Sequence, residues 1–141
     1  MARTDSRSAL AEALDRVGDR WTLLVVEALL DGPRRFNDLL EDVEGIAPNI
    51  LSERVRRLER AALAVSSPYS ERPPRFVYEL TDAGAELAGA LRLLADWGAR
   101  NAEGAEALRH SACGTTLEAR WWCPACEVTV ADQDADDAQL V

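Results

Sequence analysis

The sequence predicts an α+β fold, mainly α, in which helices come first and a pair of strands follows. Four segments before Ala62 carry apolar residues at the spacings of three and four that one face of a helix requires. Two short strand-like segments come next, joined by a polar, Pro-rich connection. One more helical repeat then follows. We interpret the whole as a winged helix-turn-helix domain with a two-stranded wing and a long C-terminal helix.

The first two predicted helices are short. Leu10, Leu14 and Val17 repeat at helical spacing, and Gly18 suits the end of that helix. The second helix runs from about Trp21 to Leu29 and carries its own apolar stripe. Asp31, Gly32 and Pro33 then stop it, because this combination favours a turn.

The next two helices form the helix-turn-helix. The third is predicted from Phe36 to Val43 and closes near Gly45. The fourth runs from about Ala47 to Ala61, with Pro48 suited to its first turn. Its predicted buried face consists of Leu51, Val55, Leu58 and Ala62. Two helices joined by a short turn containing Gly make the fourth helix the predicted recognition helix.

The strand-like segments Ala64–Tyr69 and Arg75–Leu80 form the predicted wing. In the second, Phe76, Tyr78 and Leu80 are expected to face inward. Thr81 is the expected N-cap of the long helix that follows. The apolar face of that helix carries Leu87, Leu91, Leu94 and Trp97.

Length and hydropathy limit the class of protein. A chain of 141 residues suits one domain with a small appendage. It contains no run of the roughly 20 apolar residues that a membrane span needs, and its first residues are polar. We therefore expect a cytoplasmic protein with no membrane partner. No phosphate-binding Gly loop and no Ser/His/acid set is present, so we expect no enzyme activity.

A net charge of −9 is unusual for a protein that binds nucleic acid, but the charge is unevenly distributed along the chain. Between Ala47 and Arg75 six arginines outnumber three glutamates, which leaves a local charge of +3. All cations of the chain are Arg, a side chain suited to bidentate contacts with phosphate or guanine. This local excess favours double-stranded DNA as the partner.

The helical period assigns the side of the recognition helix that would face DNA. Its outward positions are Pro48, Asn49, Ser52 and Arg56, with Glu53 and Arg57 at the edges. Asn49 suits adenine, and Arg56 suits guanine or phosphate. The predicted clamps on the DNA backbone are Arg34, Arg35, Arg72 and Arg75. The alternative is a solvated helix face whose arginines pair with Glu53 and Glu59.

A cluster of potential metal ligands follows the domain. His110 and Cys113 form one pair with two residues between them, and Cys123 and Cys126 form another. Four such ligands complete a closed tetrahedral zinc shell, which predicts a structural Zn²⁺ in a zinc-ribbon-like module. We expect the intervening residues Thr115–Trp122 to form a short hairpin, and Trp121 and Trp122 to be core residues. A metal-free tail with reduced cysteines, or a redox role for Cys123 and Cys126, are the alternatives.

At the level of domains, we predict a DNA-binding and dimerisation domain over residues 1–104, the zinc-ribbon-like module over residues 105–130, and an acidic disordered tail over residues 131–141.

From Ser8 to Gly98 the chain resembles the HxlR-type winged-helix regulators. The resemblance rests on the order and spacing of four strings: Gly18–Thr22, Leu30–Leu39, Gly45–Glu59 and Pro73–Gly84. It implies a bacterial transcription regulator, acting as a repressor in its simplest mechanism, that dimerises through the first and last helices of the domain and binds a pseudo-palindromic operator. Several relatives sense oxidants through a cysteine just before the first helix, where this chain has Ser8. Its signal must therefore differ or be absent, and a small-molecule effector is one candidate.

A homodimer is also expected on physical grounds, because a thin winged domain leaves the apolar face of its long helix uncovered. The predicted interface consists of Leu10, Leu14, Leu87, Leu91, Leu94 and Trp97. The alternative is that this face packs only on its own domain. For function as a whole, the alternative is a winged-helix protein-interaction module without specific DNA binding.

Overall fold

A computed structural model of the protein describes residues 7–130. These residues form two compact units, one of Ala13–Leu91 and the other of residues 7–12 with 92–130. The predicted acidic tail over residues 131–141 lies outside the described residues. The division falls within the last helix, between Leu91 and Arg92. The three predicted domain ranges remain a prediction.

The first four helices agree with the sequence prediction to within a residue or so at each end. They are α1 (Ala9–Val17), α2 (Arg20–Leu30), α3 (Phe36–Asp42) and α4 (Pro48–Arg60). Asp19 caps α2 by accepting a hydrogen bond from the Thr22 N–H at 3.0 Å. Pro48 occupies the first turn of α4, where its missing N–H costs no helical hydrogen bond. The helix-turn-helix is thus formed by α3 and α4.

The sheet has three antiparallel strands: β1 (Arg34–Arg35), β2 (Ala64–Glu71) and β3 (Pro74–Leu80). Their order is β1-β3-β2, so the long hairpin of β2 and β3 is the wing. Ser70 and Glu71 belong to β2 and not to the polar connection between the two strands of the wing. The inward assignment of Phe76 is wrong, since 41% of this residue is exposed, whereas Tyr78 and Leu80 are partly buried against the core. A strand as short as β1 carries no pattern that a sequence could show.

The core lies where α2, α3, α4 and the sheet meet. Leu51, Val55 and Leu58 are buried there, as the period of α4 predicts. The buried assignment of Ala62 is wrong. This residue is exposed with a φ of 57°, because it turns the chain just past the helix end and points away from the core. The other buried apolar residues are Val17, Val25, Val26, Leu29, Leu39, Val43, Ile46 and Ala64.

The predicted long helix is interrupted, giving α5 (Asp82–Ala85) and α6 (Ala88–Asn101). The Thr81 hydroxyl caps α5 at the Gly84 N–H, as predicted, and donates to the Ala62 carbonyl at 2.7 Å. A Cβ atom on Gly84 would clash with the Leu63 carbonyl oxygen. The first turn is therefore held against Leu63. The Leu87 N–H then bonds to the carbonyl three residues back, that of Gly84, at 3.1 Å, which tightens the chain before α6.

The C-terminal part contains a two-stranded antiparallel hairpin, β4 (Trp121–Cys123) and β5 (Val128–Val130). An isolated bridge pairs Arg109 with Thr116. The hairpin predicted over Thr115–Trp122 is therefore wrong, because these residues connect two separate turns. Among the helices within residues 7–130 the longest is α6, with 14 residues, and none of them has the length and apolar character to cross a bilayer.

Candidate DNA-binding surface and C-terminal ligand pairs

The side of α4 opposite the core carries three exposed residues that the sequence assigned to DNA. These are Pro48, Asn49 and Arg56, while Ser52 beside them is half-buried. The Arg56 side chain forms no hydrogen bond or ion pair with any of residues 7–130, although its charge acts on the nearby Tyr78. A guanidinium without a carboxylate partner in the described part of the chain is available to a ligand from outside.

The edge positions of α4 are engaged within the fold. Arg57 donates to the Asp19 carboxylate at 3.0 Å and to the Asp15 carbonyl at 2.6 Å. Arg54 donates to the other oxygen of Asp19 at 2.8 Å and pairs with Glu53 at 3.0 Å. The placement of Arg57 and Glu53 in the DNA surface is therefore not supported by their contacts. Arg54 is therefore held within the fold by two carboxylates.

Asp19 is the residue that sequence reasoning missed, and it connects α2 to α4. Its burial raises the pKa of the carboxyl, but hydrogen bonds from the Thr22 side chain and backbone, and then from Arg54, outweigh that effect. The pKa of Asp19 is lowered from 3.8 to about 2. The side chain thus stays ionised as an N-cap and as the counter-ion of two arginines. The position of Asp19 directly before an apolar repeat predicts the N-cap. No local pattern in the sequence predicts its ion pairs with Arg54 and Arg57.

Two of the four predicted clamps lie at the wing. Arg72 and Arg75 are exposed, and neither side chain forms a hydrogen bond or ion pair within the described part of the chain. Arg34 is held by Asp42, at 3.1 Å, and by the Pro33 carbonyl. Arg35 is exposed and lies over the ring of Tyr69, 5.0 Å from its centroid.

A cleft of about 420 Å³ lies between the start of α3 and the wing. Arg35 and Arg75 line it together with Asn37 and Tyr69. Neither Asn37 nor Tyr69 was assigned a role from the sequence. Tyr69 is an exposed residue of β2, and only the pairing of strands brings it next to Arg35. The side chains of Asn37 and Tyr69 both offer hydrogen-bond donors suited to a phosphate oxygen.

The apolar residues assigned to a dimer interface are placed in two ways. Leu87 and Leu91 are half-buried against the core of their own unit. Leu10, Leu14, Leu94 and Trp97 are exposed, Leu94 to 57% and Trp97 to 61%. Ser8 lies just before α1, and its hydroxyl accepts the Ala11 N–H at 3.1 Å. It therefore serves as a helix cap.

The structure brings the four predicted metal ligands together as two pairs. His110 Nδ1 lies 3.3 Å from Cys113 Sγ. Hydrogen bonds from the Thr115 hydroxyl and N–H, and then from His110, lower the pKa of the Cys113 thiol. The N–H groups of Cys126 and Ala125, and then the Cys126 thiol, do the same for Cys123. In the described part of the chain, no three His, Cys, Asp or Glu side chains are grouped as they would be around a metal ion.

Trp121 and Trp122 are exposed, to 55% and 61%, so their predicted place in a core is wrong. Trp121 lies with Leu93 and Trp97 along a groove of about 920 Å³. The reason is the length of the hairpin: strands of three residues cannot cover a side chain of this size.

Residues 16–106 match the family described as HxlR-like helix-turn-helix. An uncharacterized HTH-type transcriptional regulator of Mycobacterium tuberculosis, Rv3095, is 38% identical over 122 residues, which cover 84% of this chain and 77% of the relative. This similarity covers more of the chain than residues 1–106 do, because those residues are only about three quarters of it. The similarity to Rv3095 therefore extends past residue 106, where the family match ends. The HTH-type transcriptional regulator YodB of Bacillus subtilis is 30% identical over 88 residues, covering 62% of this chain and 79% of YodB.

Solved structures share the fold. The reduced form of YodB superposes with a TM-score of 0.57 at 26% identity, covering 75% of this chain and all of that one. A transcriptional regulator of the MarR family from Porphyromonas gingivalis superposes with a TM-score of 0.65, at 24% identity and over 72% of this chain and 100% of that one. The winged-helix arrangement predicted from the sequence is thereby confirmed.

Proposed function

The chain belongs to the HxlR-like helix-turn-helix family, and we propose that it represses transcription as a homodimer bound to a pseudo-palindromic operator. It is a DNA-binding transcriptional regulator and not an enzyme. The observation that supports a sequence-specific mode is Arg56, which is exposed on α4 on the same side as Asn49 and whose side chain forms no hydrogen bond or ion pair among the described residues. A DNA target places the working protein in the cytoplasm.

The first step is entry of α4 into the major groove. Its first two turns carry Pro48, Asn49 and Ser52, which are small enough to approach base edges. Arg56 lies two turns further along the same side. We assign base reading to Asn49 and Arg56, because their amide and guanidinium groups match adenine and guanine in the major groove.

The second step is positioning on the phosphates. Arg72 and Arg75 at the wing, and Arg35 at the start of α3, are exposed cations without a carboxylate partner in residues 7–130. Contacts of this kind set register and affinity and carry no sequence information. The overall charge of −9 opposes DNA, so binding depends on these few cations and is expected to be sensitive to salt.

The third step is pairing of two copies. Leu94 and Trp97 expose large apolar surfaces that a second chain would cover. A two-fold axis would set the two recognition helices about 34 Å apart, one turn of DNA. Repression then follows from occupation of promoter DNA. Sedimentation at micromolar concentration should give the mass of two chains, and the mass of one chain would contradict the homodimer.

The signal is proposed to be a small-molecule effector. Ser8 stands where the family resemblance implies a sensing cysteine, and its hydroxyl is used to cap α1. A serine hydroxyl cannot form the disulfide or sulfenic acid through which a thiol responds to oxidants. Oxidant treatment is therefore not expected to release DNA through this position.

The test is binding of the full chain to DNA from upstream of its own gene, followed by fluorescence anisotropy. Arg56→Ala should weaken specific binding by about 1 to 3 kcal/mol, or about 5- to 150-fold, because a bidentate base contact is lost. Arg92→Ala is the matched control, since Arg92 is an exposed arginine of α6 outside the proposed surface. Equal affinity of the Arg56 variant and the parent would remove Arg56 from the site. Binding that is insensitive to salt, or no binding to DNA, would favour a protein-interaction module instead.

A further inference from the structure

Two turns in the C-terminal part of the chain have the same backbone geometry. The first turn, residues 110–115, holds His110 and Cys113, and the second turn, residues 123–127, holds Cys123 and Cys126. In each, the residue after the second ligand donates its N–H to the carbonyl of the first ligand. These bonds measure 2.7 Å from Gly114 to His110 and 2.8 Å from Glu127 to Cys123.

The backbone dihedrals repeat in the same way. Gly114 has a φ of +72° and Glu127 a φ of +55°, both in the left-handed region. For Gly this conformation is free of strain, whereas for Glu it is uncommon and has a cost. In the sequence a glycine follows the first pair only, since Glu127 stands at the matching position after Cys126. The structure supplies there the conformation that the missing glycine would have provided.

The first turn also places its two ligand atoms side by side. His110 Nδ1 lies 3.3 Å from Cys113 Sγ, so one metal ion could contact both.

The segment that carries the two turns has little else to stabilise it. Among residues 105–130 none is buried, and β4 and β5 have three residues each. An isolated two-stranded hairpin is marginal in water, and small units without a core usually rely on a disulfide or a metal. An odd number of cysteines, three, is less suited to disulfides than to a mixed set of ligands.

We propose that the two turns together bind one zinc ion. Its ligands are His110, Cys113, Cys123 and Cys126. One imidazole and three thiolates match the preference of Zn²⁺, and four protein ligands leave no open position, so the site is structural. Among the described residues the two pairs do not form one cluster, so binding of a single ion would have to bring them together, and each cysteine would release its proton to solvent. The free energy of zinc binding would then contribute to the folding of residues 105–130.

The experiment measures zinc in the full chain purified under reducing conditions without chelator. We expect about one equivalent in the parent and a loss to below about a tenth in Cys113→Ser, Cys126→Ser and His110→Ala, because a tetrahedral site needs all four ligands. Ser111→Ala, which changes the first turn without removing a ligand, is the matched control and should keep the metal. Glu127→Gly should also keep it, since Gly adopts the left-handed turn more readily.

Cobalt substitution examines the coordination of the parent protein directly, so it does not depend on how the variants fold. Co²⁺ added to metal-free chain should produce thiolate-to-cobalt charge-transfer absorption and the strong visible bands of tetrahedral cobalt, and zinc should displace them. A parent protein with less than about a tenth of an equivalent of zinc and no such spectrum would overturn the proposal. So would retention of zinc by His110→Ala, or a Cys123–Cys126 disulfide in the reduced preparation.

Discussion

Replacing Asp19 by Asn removes the negative charge that joins α2 to α4 while leaving an oxygen that can cap α2. In the parent, each carboxylate oxygen accepts one bond from Thr22 and one from an arginine of α4. In the variant Arg54, whose side chain is 17% exposed, keeps only the more exposed Glu53 as an ion-pair partner. We expect a clear loss of stability, because a partly buried cation loses its counter-ion.

The magnitude follows from the pKa of Asp19, which is 3.8 in its ordinary state and about 2 in the fold. Each pH unit is worth about 1.4 kcal/mol, so the carboxylate contributes about 2 kcal/mol at neutral pH. A lowered pKa means that this stabilisation is complete above about pH 4 and is lost as the pH falls towards 2. The difference between parent and Asp19→Asn should therefore narrow below about pH 4.

The assay is urea unfolding followed by far-UV circular dichroism, at one protein concentration because dimerisation would affect the midpoint. Glu27→Gln is the matched control, an exposed carboxylate on the same helix, which should change stability by less than about 0.5 kcal/mol. A variant as stable as this control at pH 7, or a loss that does not change between pH 6 and pH 3, would refute the role of Asp19 as a charged link.

Two further predictions concern the wing and α5. Arg72→Ala should weaken binding to all DNA sequences alike and lower the salt slope by about 1, because one phosphate contact is lost; loss at one operator only, in salt titrations of specific and unrelated DNA, would contradict the clamp role. Gly84→Ala should destabilise the fold by about 1 to 3 kcal/mol, because its Cβ would meet the Leu63 carbonyl. Its control is Gly89→Ala in α6, where a Cβ meets nothing within 4 Å, so this change should be neutral or stabilising in thermal unfolding; a Gly84 variant as stable as the Gly89 variant would disprove the close contact.

The sequence by itself determined the four helices of the helix-turn-helix region and the existence of the wing. The bounds of α4 follow from local signals, namely Pro48 in the first turn and an apolar residue every three or four positions. Such signals act within one or two turns of the chain, so they are readable without a fold. The same period correctly separated the exposed Asn49 and Arg56 from the buried Leu51 and Val55.

Only the tertiary structure decided which arginines of α4 are free. Arg54 and Arg57 meet Asp19 across 35 and 38 residues of sequence, and no periodicity encodes that contact. The break between α5 and α6 also depends on a contact distant in sequence, because Gly84 lies against the Leu63 carbonyl between α4 and β2. The equivalence of the two C-terminal turns was hidden as well, since Glu127 takes a left-handed conformation that its residue type does not favour. Contacts between residues distant in sequence override local conformational preference. Such contacts therefore decide which side chains remain free to bind DNA or a metal.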